Sequence, residues 1–265
     1  MSRILLFLSI ALLWNYQQVR AQDEEISPFK RFLALMDEDL TTKESELDSA
    51  LAAQFIPTEE LIDDRVFYAG RILRVAPKFY EVSITYSCKA LYHCSGRMVA
   101  TYDVGGEYLG HTFTSKFHGE ENNYLRIKSP IRSNDLIIAI AHRAAVEVDY
   151  DETKIEHLIY EVTIKKSGEM EVTKSRKIPI GRTYALASIG LINKPDLDLL
   201  QPFEVEAMRY EIYASYGLSF EQPRWQSYFA NQAWYVPTTD NVDDKELTAL
   251  ERRNLRIINS YLEKK

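Results

Sequence analysis

The chain has 265 residues, of which 46% are apolar, and its 32 Lys and Arg against 39 Asp and Glu give a formal net charge of -7. A polypeptide of this length buries one large core or two smaller ones. The acidic balance argues against a nucleic-acid partner, because affinity for phosphate backbones comes largely from Lys and Arg that displace counterions.

The first 21 residues have the organisation of a secretory signal peptide. Arg3 supplies a positive start, residues 4–14 are almost entirely apolar, and Val19-Arg20-Ala21 places small residues where a signal peptidase cleaves. Eleven helical residues reach only about 16 Å, whereas a bilayer core of about 30 Å needs about 20 residues. We therefore expect cleavage after Ala21 and export to the periplasm or the cell exterior, with no transmembrane segment in the mature chain. An uncleaved anchor or a buried first helix is the alternative.

Residues 22–65 are predicted to be a helical N-terminal segment. Ser27-Pro28 is typical of an N-cap followed by proline in the first turn. The apolar residues that follow share one helical face: Phe29, Phe32, Leu33 and Met36. A second stripe ends before Pro57 and consists of Leu47, Leu51 and Phe55.

Residues 66–192 change to a period of two, which is typical of half-buried strands. Gly105-Gly106 and Ser167-Gly168 stand between such runs, where hairpin turns need positive φ. Connections this short make neighbouring strands antiparallel. The pattern predicts a meander of eight or nine strands that is either barrel-like or a sandwich, and it leaves these two open.

Cys88 and Cys94 are the two cysteines of the chain. Their five-residue spacer and the expected oxidising compartment favour a local disulfide that closes a hairpin. A metal site with His93 as a third ligand is the functional alternative, but His93 and Cys94 would point to opposite faces of a strand. Free thiols are the remaining possibility. We expect the disulfide and no metal.

Residues 193–265 return to a period of 3.6 and are predicted to be a small helical domain. One stripe contains Val205, Met208, Ile212 and Tyr216. Gly217 follows where a left-handed C′ residue would close the helix. Asp243 and Glu246 resemble a capping box for the last helix. Asn254 lies within the apolar stripe of that helix, and we expect its amide to bind backbone groups of the preceding "WYVP" loop.

The residues from Phe203 to Lys265 resemble the YARHG domain family, a module of exported bacterial proteins. The resemblance is carried by "AMRYEIYASYGLSF", "WYVP" and "LTALERRNLRIINSYLEK". The Arg-His of the family motif is replaced here by Ser215-Tyr216, which puts in doubt any charged site that the motif would form. The family is treated as having no known catalytic activity. The resemblance therefore implies an exported location and a small helical fold, but no reaction.

Nine aromatic residues lie between Tyr210 and Tyr235. Buried rings hide about 150–250 Å² each, so a few of them can close the core of a small domain. Adjacent rings cannot all face inward, however, and those left exposed could stack on a sugar or contact a protein. The candidate ligand-binding residues are therefore Tyr216, Trp225, Tyr228, Trp234 and Tyr235.

Motifs for nucleophilic catalysis, zinc hydrolysis and phosphate-binding loops are absent from the sequence. His111 and His118 are an odd seven residues apart, so they face opposite sides of a continuous strand unless a bulge intervenes. The polar turn "HGEEN" from His118 is the best local candidate for a cation, but such turns are common. We assign no catalytic residue, no metal ligand and no cofactor.

The sequence as a whole predicts an α+β protein with N-terminal helices, a central antiparallel β meander and a C-terminal YARHG-like helical domain. The leading hypothesis is an exported, non-enzymatic cell-envelope module that binds a partner protein or a glycan. The alternative is a hydrolase that acts on envelope glycans or peptides through carboxylates of the β domain.

Overall fold

The computed structural model describes residues 26–36, 45–61, 64–89, 94–120, 123–145 and 155–264. The predicted signal peptide at residues 1–21 lies outside these ranges, as do His93 and the end of the "HGEEN" turn.

Two short helices precede the eight long strands of the sheet, as the sequence predicts. Helix α1 covers Pro28–Ala34, and the hydroxyl of its N-cap Ser27 accepts a hydrogen bond from the Lys30 amide at 3.2 Å. Helix α2 covers Ser49–Phe55 and follows the two-residue strand β1, Ser45–Glu46. A 3-10 turn at Thr58–Glu60 leads into the main sheet.

The central region is one antiparallel sheet of nine strands whose spatial order is the chain order. After β1 the strands are β2 (Arg65–Val75), β3 (Phe79–Cys88), β4 (Cys94–Asp103), β5 (Tyr108–Glu120), β6 (Asn123–Arg132), β7 (Leu136–Ala145), β8 (Glu156–Ile164) and β9 (Met170–Ile178). The predicted antiparallel meander is confirmed. The sheet is not closed, because β1 and β9 stand at its two ends.

Tight turns connect the strands of this open sheet, and a side-chain hydrogen bond joins two of its distant parts. Gly106 and Gly168 have φ of +95° and +97° in the two turns where the sequence predicts positive φ. The hydroxyl of Thr101, on β4, donates to the carbonyl of Gly168 at 2.7 Å. The β8–β9 turn therefore lies against β4, although β5 to β8 come between them in the sequence.

The predicted disulfide is confirmed. Cys88 at the end of β3 is bonded to Cys94 at the start of β4. Neither sulfur is then available as a thiolate ligand, so the alternative metal site with these cysteines is excluded.

The first core lies between the N-terminal helices and strands β2–β4. Its largest rings form a continuous aromatic cluster of Phe29, Phe32, Phe55 and Tyr102. The Tyr102 hydroxyl donates to the Phe55 carbonyl, so this fully buried ring has its polar atom satisfied. The aromatic residues of the N-terminal helices thus cover a sheet face that would otherwise be exposed.

Five helices follow the sheet. They are α3 (Leu186–Ile189), α4 (Lys194–Asp198), α5 (Pro202–Ala214), α6 (Pro223–Ala230) and α7 (Ala249–Leu262). The start of α7 packs on β7–β9 through a shared apolar cluster of Ile138, Ile140, Ile159, Ile178 and Leu250. The sheet and the helical region are therefore joined by a buried apolar contact.

Two details of the last helix differ from the sequence prediction. Helix α7 begins at Ala249, and its capping box is formed by Thr248 and Glu251 rather than by Asp243 and Glu246. The amide of Asn254 is buried and hydrogen-bonded, as predicted, but the predicted partners are wrong.

Asn254 binds the segment around α3 and not the "WYVP" loop. Its Nδ2 donates to the carbonyls of Ala187 at 2.9 Å and Gly190 at 2.7 Å. Its Oδ1 accepts from the Ile192 amide at 3.2 Å. One side chain therefore holds the irregular chain after α3 against α7.

Candidate functional site

The aromatic segment after α5 divides into core rings and surface rings. Trp225 is 2% exposed and Phe229 is fully buried, and both belong to one cluster with Phe220. Phe220 and Phe229 stack with their centroids 4.6 Å apart. Of the residues predicted to bind a ligand, Trp225 is therefore placed in the core, where a ligand would not reach its ring.

One part of this cluster reaches the surface. Phe203, at the start of α5, is 40% exposed and stacks parallel to Trp225 with an interplanar angle of 2° and centroids 5.5 Å apart. The guanidinium carbon of Arg224 lies 4.5 Å from the Phe203 centroid. Half-buried Tyr228 places its ring edge-on to Phe203 at 5.8 Å. We call Phe203, Arg224 and Tyr228 the aromatic face.

Trp234 and Tyr235 lie on another part of the same cluster and are half-buried. The Tyr235 hydroxyl donates to the Leu218 carbonyl at 2.7 Å, so its polar end serves the turn after α5. The Trp234 ring contacts Phe229, and the guanidinium carbon of buried Arg182 lies 5.8 Å from its centroid. Tyr235 therefore holds the turn after α5, and Trp234 packs on Phe229.

The motif segment Ser215-Tyr216-Gly217 closes helix α5, as predicted for Gly217. Its φ is +86°, the Leu218 amide donates to the Tyr213 carbonyl and the Gly217 amide to the Ala214 carbonyl. This pair of bonds is the Schellman arrangement that favours glycine at the left-handed position. The glycine of the motif thus has a conformational role.

Tyr216 is half-buried and lies in an ionic network that joins β9 to α7. Arg176, from β9, donates to a Glu251 carboxylate oxygen at 2.6 Å and to the Ser215 carbonyl and hydroxyl at 2.9 and 2.6 Å. Its guanidinium carbon lies 3.5 Å from the Tyr216 centroid. Where the family motif has arginine this chain has serine, and strand β9 supplies a guanidinium that contacts that serine.

Glu251 is the centre of this network and is fully buried. Besides Arg176, it accepts from the Tyr216 hydroxyl at 2.6 Å and from the Thr248 amide at 3.0 Å. Burial raises the pKa of Glu251, but the charge of Arg176 and the hydrogen bond from Tyr216 outweigh it, so the pKa lies below its ordinary value. The carboxylate is therefore ionised and paired with Arg176, which is typical of a group with a structural role.

A cluster beside strand β5 has the residue types of acid–base chemistry. The Tyr108 hydroxyl lies 2.5 Å from His111 Nδ1, and His111 Nε2 lies 3.7 Å from a Glu60 carboxylate oxygen. Arg65 also donates to Glu60. Burial and the charges of Glu59 and Glu60 raise the pKa of Tyr108 to about 12, so its hydroxyl stays protonated at neutral pH.

His111 and His118 cannot share a ligand. Strand β5 has a bulge opposite Arg97 and Met98, which skips Thr114 and changes the alternation between the two histidines. Seven strand residues nevertheless separate them by about 20 Å. The bulge alone therefore does not create a site.

His142 and His157 form a second histidine pair, directly opposite each other on β7 and β8, with their Nδ1 atoms 2.8 Å apart. Burial, then the charges of His157, Lys128 and Arg126, lower the pKa of His142 to about 4. Within the described ranges, no group of three or more His, Cys, Asp and Glu side chains is arranged to hold a metal ion.

Comparison with known proteins places the helical region in a family. The YARHG domain model matches residues 182–263, which confirms the resemblance seen in the sequence. No curated protein and no solved structure matches the chain. A YARHG domain is typical of exported proteins, and the Cys88–Cys94 disulfide fits an oxidising compartment. Across the described part of the chain, every helix is too short or too polar to span a bilayer.

Proposed function

We propose that this chain, which carries a YARHG domain in its C-terminal region, is a non-enzymatic binding module of the cell envelope. It faces the periplasm or the cell surface, and its partner is a protein that contacts the aromatic face of Phe203, Arg224 and Tyr228.

The exposed ring of Phe203 carries this proposal. Trp225 holds that ring parallel at the surface, so covering it costs little side-chain entropy. Aromatic residues and arginine are enriched at protein interfaces and dominate their binding energy. The aromatic face has this composition, with Arg224 and Tyr228 both in contact with Phe203.

The surroundings of this face favour a protein over a glycan. Trp225, whose indole would be the natural platform for a sugar ring, is buried. A binding experiment therefore has to test a glycan ligand as well.

The test compares Phe203→Ala and Arg224→Ala with Val172→Ala, a matched control whose exposed side chain lies on β9. Each purified variant is used to capture proteins from an envelope extract, with sedimentation on purified peptidoglycan in parallel. We expect a protein, identified by mass spectrometry, that the wild type and Val172→Ala retain and the two face variants lose. Circular dichroism should show that all variants are folded. Retention of the protein by every variant, or loss of peptidoglycan binding in Phe203→Ala, would contradict the proposal.

A hydrolase is the second candidate, and the chain of Tyr108, His111 and Glu60 is the observation that favours it. An imidazole between a hydroxyl and a carboxylate has the order of groups used in nucleophilic catalysis. Burial and the nearby carboxylates raise the pKa of Tyr108 to about 12, so its hydroxyl is harder to deprotonate than that of a free tyrosine, which weighs against a phenolate nucleophile. Soluble fragments released from peptidoglycan by the wild type and not by His111→Gln would support the hydrolase, and release by neither would count against it.

A further inference from the structure

A concave pocket of about 420 Å³ lies between α4 and the end of α7. Pockets that hold small molecules have volumes of about 300–1,000 Å³. Lys194 and Asp198 line it from α4, and Arg256, Ser260, Tyr261 and Lys264 line it from α7 and the residues just after it. None of these residues belongs to the aromatic face.

Helical spacing explains why these side chains converge. Arg256 and Ser260 are four residues apart on α7, and Lys264 follows four residues later, just after the helix, so the three extend along one side. Lys194 and Asp198 have the same spacing on α4. The Tyr261 hydroxyl donates to Asp198 at 3.0 Å, which joins the two helices where they line the pocket.

The pocket has an excess of positive charge. It contains the cations Lys194, Arg256 and Lys264 against the carboxylate of Asp198, and that carboxylate already binds Tyr261. In the part of the chain that the structure describes, none of the three cations forms an ion pair, and the hydrogen bond of Arg256 is to a backbone carbonyl in its own helix. The excess of two positive charges stands out in a chain whose net charge is -7.

We propose that this pocket binds a phosphate monoester of about the size of a sugar phosphate. A phosphate monoester carries a charge of about -1.5 to -2 at pH 7, which matches the charge excess of the pocket. The guanidinium of Arg256 can bind two phosphoryl oxygens at once, and lysine ammonium groups act as further point charges.

The remaining lining suits the body of such a ligand. Ser260 offers a hydroxyl, and Ile257 and Tyr261 offer apolar surface beside the cations. A pocket of about 420 Å³ is also larger than a phosphate ion alone requires. The ligand therefore carries a body attached to its phosphoryl group. The pocket does not include the aromatic face, so Phe203→Ala should not change the binding of the phosphate monoester.

Isothermal titration of the full chain with glucose 1-phosphate, glucose and inorganic phosphate tests the proposal. We expect glucose 1-phosphate to bind, glucose not to bind and inorganic phosphate to bind more weakly. Arg256→Gln and Lys264→Gln should weaken glucose 1-phosphate binding by about tenfold or more, because each removes a charge-assisted contact. Circular dichroism should show that both variants are folded, because the two side chains are exposed.

Lys166→Gln is the matched control, since Lys166 is an exposed lysine in the β8–β9 turn. This variant should bind glucose 1-phosphate as the wild type does. Absence of glucose 1-phosphate binding, or equal weakening by Lys166→Gln, would overturn the site. Inorganic phosphate that binds as tightly as glucose 1-phosphate would overturn the assignment of a phosphate monoester in favour of free phosphate.

Discussion

Replacing Arg176 with Met tests whether strand β9 holds the helical region in place. The substitution keeps an unbranched side chain of similar length and removes the guanidinium that pairs with Glu251 and binds Ser215. Glu251 is fully buried, so its carboxylate would lose its cationic partner without gaining water. Breaking a buried pair in this way costs about 3–5 kcal/mol. Since 1 kcal/mol shifts Tm by about 2–4 °C in chains of this size, we expect Tm to fall by about 6–20 °C.

Urea unfolding followed by far-UV circular dichroism measures this loss. Glu251→Gln is the informative second variant, because Gln at the third helical position still serves the capping box. In the double variant Arg176→Met/Glu251→Gln no buried charge is left unpaired, so the double variant should be more stable than Arg176→Met alone. A free energy of unfolding for Arg176→Met within about 1 kcal/mol of the wild type, or a double variant that loses the full sum of both changes, would refute the reasoning.

Three further predictions concern other parts of the fold. Asn254→Ala should lower the free energy of unfolding by about 2–5 kcal/mol in urea titration, because two carbonyls and one amide lose their partner inside the protein; a loss below about 1 kcal/mol would contradict it. Replacing Cys88 and Cys94 with Ser should cost about 2 kcal/mol by the loop-entropy relation, and thiol titration of the unreduced wild type should find no free cysteine. The pKa of His142 is about 4 when folded and 6.5 when unfolded, so the unfolded state takes up the proton first and stability falls as pH drops from about 6.5 to about 4. After allowance for solvent screening, His142→Asn should reduce this acid-dependent loss by about 1–2 kcal/mol, and an unchanged pH profile would argue against it.

Local chemistry made much of the fold predictable. Ser27-Pro28 starts a helix because a hydroxyl and a proline both suit that position. Gly106 and Gly168 mark hairpins because their backbone has positive φ. The period of two gave an antiparallel meander, but whether it closes depends on its total twist and on contacts such as that of Thr101 with Gly168, which strand patterns do not encode.

The candidate site was less predictable because its contacts join distant parts of the chain. Asp243 and Thr248 both begin a sequence that resembles a capping box, and reciprocal bonds between Asp243 and Glu246 do form, but the chain becomes helical only after Thr248. Nothing near Ser215 indicates that Arg176, on a strand, would reach it. Phe203 lies outside the aromatic run, so its stacking on Trp225 had no signal in the spacing of that run.

The position of Arg176 also limits how the helical region can be moved between proteins. A fragment that begins at Arg182 keeps the whole match to the YARHG family but lacks the strand residue that neutralises Glu251. Grafted onto another exported scaffold, such a fragment would need a host that donates an equivalent cation to this carboxylate. The segment that the family model matches is thus shorter than the part of the chain whose contacts stabilise it.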